Sequence, residues 1–292
     1  MTRCTAESAI AYLDRIAACN NADLSRFVPW RIDAWKAGFV RNDRAPRLLA
    51  ARHAFLQDGD GTIRLRGDDV AARTSALAEF GRSLANEGAI RLREEPFPVT
   101  ARIDEAPRCA VDRGAVPWLG VRPFGVHVAG YSRSGGELFA WVAVRSASKS
   151  FPGAWDNTVA GGQPTGLTLL DNVIKECAEE ASIPRDLAAR AMPTEAITYV
   201  REDDTGLKPD TLFCYDLELP PDFEPQPCDG EVERFLRLPA RELARVVRDE
   251  ARCKPNCSLV WIGFLLRHGI LDEELRPSER NELQRRLRAP LP

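Results

Sequence analysis

The stretch WDNTVAGGQPTGLTLLDNVIKECAEEASIP, residues 155 to 184, constrains this chain most, because it dictates a tight turn followed by an amphipathic helix. Gly161, Gly162 and Gly166 flank Pro164 and let the backbone turn sharply. Thr168 followed by Asp171 suits a helix start, and Pro184 helps to stop it, so the spacing predicts a helix from about Leu167 to Ile183. Leu170, Val173, Ile174, Cys177 and Ala181 recur at steps of three or four and form the expected buried stripe.

Glu176, Glu179 and Glu180 lie off that stripe at spacings of three and four, so their carboxylates converge on one patch. Like charges so placed cost roughly 0.2 to 0.5 kcal/mol per pair, and the helix dipole disfavours acids near a C-terminus. A solvated acidic face is the usual explanation of three glutamates on a helix. The glycine-bearing loop shifts the balance toward a cation site, because it brings a backbone carbonyl close to the same ion. Lys175 supplies one positive charge, but a hard divalent ion offsets the repulsion better, and magnesium also shares its shell with phosphates.

A chain of 292 residues is about twice a usual domain, which favours two units, residues 1 to 115 and 116 to 292. Helical spacing over 5 to 19 and over 72 to 84, with extended stretches near 27 to 32 and 62 to 65, gives the first a small α+β character. From Phe124 the runs FGVHVAGY and ELFAWVAV, separated by the turn signal at 132 to 136, predict a hairpin. Further strands are expected at 196 to 201, 211 to 217 and 232 to 238, then helices at 239 to 249 and 256 to 267, the last with Asn256 as N-cap and Gly269 as stop. This mixed order predicts an α+β sandwich rather than a doubly wound sheet.

The acidic helix and its loop resemble the Nudix signature. That signature reads Gly, five residues, Glu, seven residues, Arg-Glu-apolar-any-Glu-Glu-any-Gly-apolar; here stand Gly161, five residues, Leu167, seven residues, then KECAEEASI. The resemblance implies an α/β/α sandwich with a mixed sheet, with Glu176, Glu179 and Glu180 as catalytic and metal-binding acids and the carbonyl of Gly161 joining the metal shell. The implied metal is magnesium, with manganese as the alternative. Three positions depart: Leu167 replaces the first Glu, Lys175 replaces Arg, and Ser182 replaces the late Gly. The first two remove a family ion pair, so the loop is expected to be held by packing, and Ser182 implies either a strained left-handed helix end or a different cap.

The segments FVPWRIDAW, FGVHVAGY, WDNTVAGG, DGEVERF and KPNCSLVWIGFLLRHG are similar to thiamine-pyrophosphokinase-related Nudix proteins, in which a family-specific N-terminal domain precedes the hydrolase. That similarity implies hydrolysis of thiamine diphosphate or a damaged analogue, a small-molecule diphosphate. Hydrolysis of ADP-ribose or another nucleoside diphosphate derivative, isomerisation of an allylic diphosphate, and non-catalytic ligand sensing stand as alternatives. Arg145 and Lys149, just before the loop, are candidates to hold phosphate oxygens, with ordinary surface charge an even alternative. Glu231 and Glu233 are candidate bases outside the helix. Trp30 and Trp35 either stack on a ring of the leaving portion or, more usually for such residues, belong to an aromatic core.

The net charge of -3 gives no global field for gathering nucleic acid, which is not an expected partner. The longest apolar run, 259 to 266, is too short for the roughly 20 residues of a membrane span, and the N-terminus carries Glu7 and Asp14, so a cytoplasmic protein is expected. A homodimer is left open. The eight scattered cysteines suit reduced thiols, and Cys253 with Cys257 lacks the two further nearby ligands of a structural zinc site. His127 and His268 fit satisfied structural positions.

Overall fold

The computed structural model describes residues 2 to 292, with side chains described from Glu7 onward. After helix α1 (Thr2–Ala18), the first unit comprises β1 (Phe27–Ile32), β2 (Trp35–Arg41), α2 (Ala45–Ala50), β3 (Phe55–Gln57), β4 (Ile63–Leu65), α3 (Val70–Asn86), β5 (Pro96–Val99), β6 (Cys109–Asp112) and α4 (Val116–Leu119). Its four-stranded sheet has the order β2-β1-β4-β3, with β1 and β4 parallel and the other neighbours antiparallel. Asp69 caps α3 by accepting the Ala72 N–H at 2.8 Å, which fixes where that helix begins. The helix then delivers Leu77, Phe80 and Leu84 to the sheet. Edge-to-face contacts link Trp30, Phe55, Phe80 and Trp118 at centroid distances of 5.6, 5.4 and 5.3 Å. The three segments expected here, 27 to 32, 62 to 65 and 72 to 84, fall on β1, β4 and α3; the short strands β3, β5 and β6 carry too few residues for a period to register.

The second unit runs through β7 (Phe124–Ser134), β8 (Glu137–Arg145), β9 (Trp155–Asp156), β10 (Val159–Gly162), α5 (Leu169–Ala181), α6 (Arg185–Ala188), β11 (Met192–Asp203), β12 (Gly206–Glu218), β13 (Val232–Pro239), α7 (Ala240–Asp249), α8 (Pro255–Arg267) and α9 (Pro277–Arg286). Its mixed sheet has the order β11-β12-β7-β8-β13, with β10 added to β7 and β9 to β8; β7 and β12 are parallel. Alternation sorts the strand residues between two layers. Val126, Val128, Trp141, Tyr215 and Leu217 pack with Val173, Ile174 and Cys177 of α5. Ala129, Ala140, Val142, Val144, Leu212 and Cys214 pack with α7 and α8 on the opposite face. The result is an α/β/α sandwich beside the smaller α+β unit.

Helix α1 joins the second core rather than the first. Its Tyr12 and Ile16 are buried among residues of α7 and α8, and Tyr12 Oη donates to the Ala244 carbonyl at 3.0 Å. In sequence α1 lies on the first unit's side of residues 115 to 116, while its buried residues belong to the second core. Helix α8 begins one residue earlier than expected, with Lys254 rather than Asn256 at the N-cap and Pro255 in the first turn; Gly269, at φ +68, follows its end.

Candidate active site

Thr168 caps α5 by accepting the Asp171 N–H at 3.1 Å, so the helix spans Leu169–Ala181, two residues shorter at each end than expected. Val173, Ile174, Cys177 and Ala181 are buried as the stripe requires, but Leu170 in the first turn is 41% exposed. Ser182 adopts the left-handed conformation, φ +52, and its Oγ donates to the Gln226 carbonyl at 3.0 Å. The left-handed end survives without glycine, tied by that bond to the segment crossing beneath it.

Glu176 and Glu180 are not a solvated face, being 9% and 8% exposed. Strand β10 explains this. A Cβ on Gly161 would lie 2.2 Å from Cδ of Glu176, so only glycine lets the carboxylate close against the backbone. Glu180 accepts the Ala160 N–H at 2.9 Å. Burial pushes both carboxyls above the ordinary range, Glu180 well above it; for Glu176 the neighbouring Lys175 only partly offsets the effect. Glu179 remains exposed, and Lys175 Nζ bridges Glu179 Oε2 at 2.7 Å and Glu176 Oε1 at 3.2 Å.

Polar bonds, rather than the expected packing, replace the family ion pair in holding the loop. Asn172 of α5 donates to the Gly162 carbonyl at 2.8 Å and to Gln163 Oε1 at 3.1 Å, while Gln163 Nε2 donates to the Leu167 carbonyl at 2.8 Å. Both amides are fully buried, whereas Leu167 itself is exposed. The loop is also tied to the first unit, the Thr165 N–H donating to the Pro96 carbonyl at 2.9 Å.

The acids open into a cavity of about 620 Å³ with mixed charge. Of the expected phosphate contacts, Lys149 lines it and pairs with Glu231, which also lines it. Arg145 borders the same space but is buried, its guanidinium bound to Asp156 and to the Ser150 carbonyl at 2.7 Å. Its donors hold the loop before β9, which makes it a positioning residue rather than a free phosphate clamp. Glu233 is exposed, pairs with Arg234, and lies outside the cavity. Trp30 and Trp35 are also outside: Trp30 is buried with its indole N–H donating to the Leu119 carbonyl at 2.8 Å, and Trp35 packs under Arg108. The aromatic core reading holds for Trp30, and neither indole stacks in the cavity.

Three site residues escaped the sequence reading. Lys254 lines the cavity from the start of α8, and Arg93 and Arg113 line it from the first unit. A signal existed for Lys254, since a cation at a helix N-cap opposes the helix dipole and calls for an anionic partner. Asp156 is one, 3.8 Å away, and although burial works against the charge of Lys254, Asp156 and Cys257 hold its pKa above the usual value. Lys254, Arg113, Gly161 and Gly162 also border a second chamber of about 250 Å³, walled by Phe97 and Phe124. A Cβ on Gly162 would lie 2.5 Å from Phe97 Cζ, so this second glycine admits the aromatic wall.

His127 lines this chamber as a buried side chain, its Nδ1 2.7 Å from Asn157 Oδ1, and burial lowers its pKa to about 4. It lies with Asp156 and Cys257 in a group of potential ligand atoms all within 4.8 Å of one another. Cys257 Sγ contacts Asp156 Oδ1 at 2.6 Å, but Asp156 already faces Arg145 and Lys254, so the group reads as an ion-pair hub that anchors β9 to α8. His268 is satisfied by Asp216 at 3.0 Å, and every cysteine among the described residues is free. By contrast, Glu176, Glu180 and the Gly161 backbone offer an all-oxygen, net-negative set whose carboxyls are strained upward by burial, which is the donor chemistry of a hard divalent cation.

Residues 11 to 123 match a family described as a domain of unknown function, DUF4743. Nudix hydrolase 24, chloroplastic, of Arabidopsis thaliana is 36% identical over 90% of this chain and 74% of its own length. Nudix hydrolase 20, chloroplastic, of the same plant is 38% identical over 90% of this chain and 74% of its own length. The crystal structure of DR0079 from Deinococcus radiodurans superposes with a TM-score of 0.43 at 23% identity, covering 57% of this chain and 97% of that one. The cytoplasmic expectation is overturned by the two plant relatives, both named chloroplastic. Among the described residues no helix is long and apolar enough to cross a membrane. With relatives this similar over most of their length, and with the acids, glycine and loop of the signature assembled on one cavity, the chain belongs to the Nudix hydrolase family.

Proposed function

We propose that this protein is a magnesium-dependent hydrolase of an X-linked diphosphate, with thiamine diphosphate or a damaged analogue as the leading substrate. The observation that carries this reading is the buried pair Glu176 and Glu180, closed against Gly161, at the wall of a cavity that also presents Arg93, Arg113, Lys149 and Lys254. Glu176, Glu179, Glu180 and the Gly161 carbonyl would hold the cation. When bound, such an ion neutralises phosphate charge and lowers the pKa of a coordinated water.

The remaining chemistry falls to the chain's own side chains. Lys254 and Arg113, at the junction of the two chambers, bind the non-bridging oxygens of the diphosphate. Water attacks one phosphorus, the bridging P–O bond breaks, and the proton released by the water passes to Glu231, which Lys149 holds at the cavity wall. Arg145 keeps the preceding loop in place through Asp156 and Ser150. The first unit, from β1 to α4, selects the substrate, since it supplies Arg93, Arg113 and Phe97 but none of the signature acids. The similarity of FVPWRIDAW and KPNCSLVWIGFLLRHG to thiamine-pyrophosphokinase-related Nudix proteins supports the thiamine assignment.

The test is a metal-dependent hydrolysis screen over thiamine diphosphate and its oxidised analogues, ADP-ribose, dinucleotides and coenzyme A, with products identified by mass. Preferential conversion of a thiamine-type diphosphate to its monophosphate and phosphate is expected. Preference for ADP-ribose would replace the thiamine assignment, and no turnover of any diphosphate would overturn the hydrolase reading.

A further inference from the structure

The chamber beside the cavity contains a mismatch that diphosphate binding does not use. Asp210 of β12 lines it, and its Oδ2 accepts a hydrogen bond from Tyr199 Oη. Its other oxygen, Oδ1, is buried without any hydrogen-bond partner. A buried carboxylate oxygen left unmatched costs about 1 to 3 kcal/mol or more, so such an atom marks a place where a donor is missing. Burial raises the Asp210 carboxyl to about 6, with Tyr199, Lys208 and Lys254 opposing the rise.

The rest of the chamber is largely apolar, with His127 and Thr211 as its polar side chains besides Asp210, Arg113 and Lys254. Phe97 from β5 and Phe124 from β7 form its apolar walls, and Gly125 adds no side chain. At about 250 Å³ it falls below the roughly 300 to 1,000 Å³ of drug-sized ligand pockets, so it suits a single ring system. It meets the larger cavity at Gly161, Gly162, Arg113 and Lys254, the point where phosphates would enter.

From this arrangement we infer that the second chamber is the recognition site for the leaving group, a heteroaromatic ring whose amino or ring N–H donates to Asp210 Oδ1 while Phe97 packs against its face. The inference rests on the proposed binding of a diphosphate in the neighbouring cavity and names what that diphosphate carries. Asp210 acts here as a specificity residue and Phe97 as the contribution of the first unit to substrate choice. A site built to accept such a hydrogen bond rejects a ring that lacks the donor far more strongly than it rejects one of slightly different size.

The test measures binding rather than turnover, using monophosphates, which have no anhydride bond to cut. The full chain is titrated calorimetrically with AMP, CMP, thiamine monophosphate and, as a ring without an N–H, phenyl phosphate. At least one amino-bearing ligand is expected to bind about tenfold or more tighter than phenyl phosphate, a difference of about 1.4 kcal/mol. Asp210→Leu and Asp210→Ala, which remove the acceptor, should abolish that advantage, and Phe97→Ala should weaken all four ligands. Tyr199→Phe, which removes the partner of the other oxygen, should keep the advantage within about threefold and so separates recognition from mere structural support. The inference is overturned if no amino-bearing ligand outbinds phenyl phosphate, or if either folded Asp210 variant keeps the wild-type ratio. Failure of every diphosphate to be hydrolysed would overturn the proposed activity alone, since these binding ratios are read without it.

Discussion

Replacing Glu180 by glutamine should move stability in opposite directions with and without magnesium. The carboxylate is 8% exposed and receives one backbone N–H, from Ala160, which a glutamine oxygen can still accept; the substitution therefore removes charge and little else. Burial raises the folded-state pKa of Glu180 well above its ordinary value of 4.5. Between that value and the raised one the folded chain binds more protons than the unfolded chain, so metal-free stability falls as pH rises, by up to 1.36 kcal/mol for each unit crossed. Glutamine has no proton to lose. In EDTA the variant should match the parent near pH 4.5 and become progressively more stable than it toward neutral pH. Magnesium reverses the order, because an ion at about a hundred times its Kd stabilises the parent by about 2.7 kcal/mol and the variant much less. Melting curves from pH 4.5 to 8, in EDTA and in magnesium, show both halves of the effect. A variant less stable than the parent in EDTA at neutral pH, or equally stabilised by magnesium, would refute the placement of Glu180 as a strained metal carboxylate.

Gly161→Ala should displace the Glu176 carboxylate, since the new Cβ would lie 2.2 Å from its Cδ; a stability loss of about 1 to 3 kcal/mol and weaker magnesium binding are expected in melting and titration experiments. Asn172→Leu removes the donor to the Gly162 carbonyl and should cost about 1 to 3 kcal/mol, with faster hydrogen exchange in residues 162 to 167. Leu167→Glu with Lys175→Arg, restoring the family pair, should change stability by only about 0 to 1 kcal/mol and turnover by less than about tenfold, because the amide bonds already hold the loop. Glu231→Gln should lower kcat with little change in KM, whereas Glu233→Gln should alter neither, as Glu233 lies outside the cavity.

The sequence was most legible where its pattern is local. The glycine-rich loop, the cap at Thr168 and the stripe through Cys177 lie within about twenty residues, and the β7 to β8 hairpin is bounded by its own turn, so period and punctuation were enough to place them. What escaped depends on partners distant in the chain. Glu176 and Glu180 sit off the apolar stripe, yet strand β10 buries them, Gly161 admitting the Glu176 carboxylate and the Ala160 N–H binding Glu180. Arg145 looked available until Asp156, eleven residues on, took its guanidinium. Lys254, Arg113, Phe97 and Asp210 come from four different elements or loops and meet only because β12 runs parallel to β7 and the first unit docks at the loop before α5. No spacing rule connects such residues. Helix α1 likewise carries an apolar stripe readable at once, but the stripe does not say which core receives it.

The most direct measurement is steady-state hydrolysis of the best diphosphate from the screen by the parent, Glu176→Gln and Glu180→Gln, each confirmed folded, in magnesium and in EDTA. Turnover by the parent should require the metal, and each variant should lose about a hundredfold or more, a barrier increase of about 2.7 kcal/mol. Metal-independent turnover by the parent, or near-normal rates in both variants, would show that the buried glutamate pair on α5 is not where this protein does its chemistry.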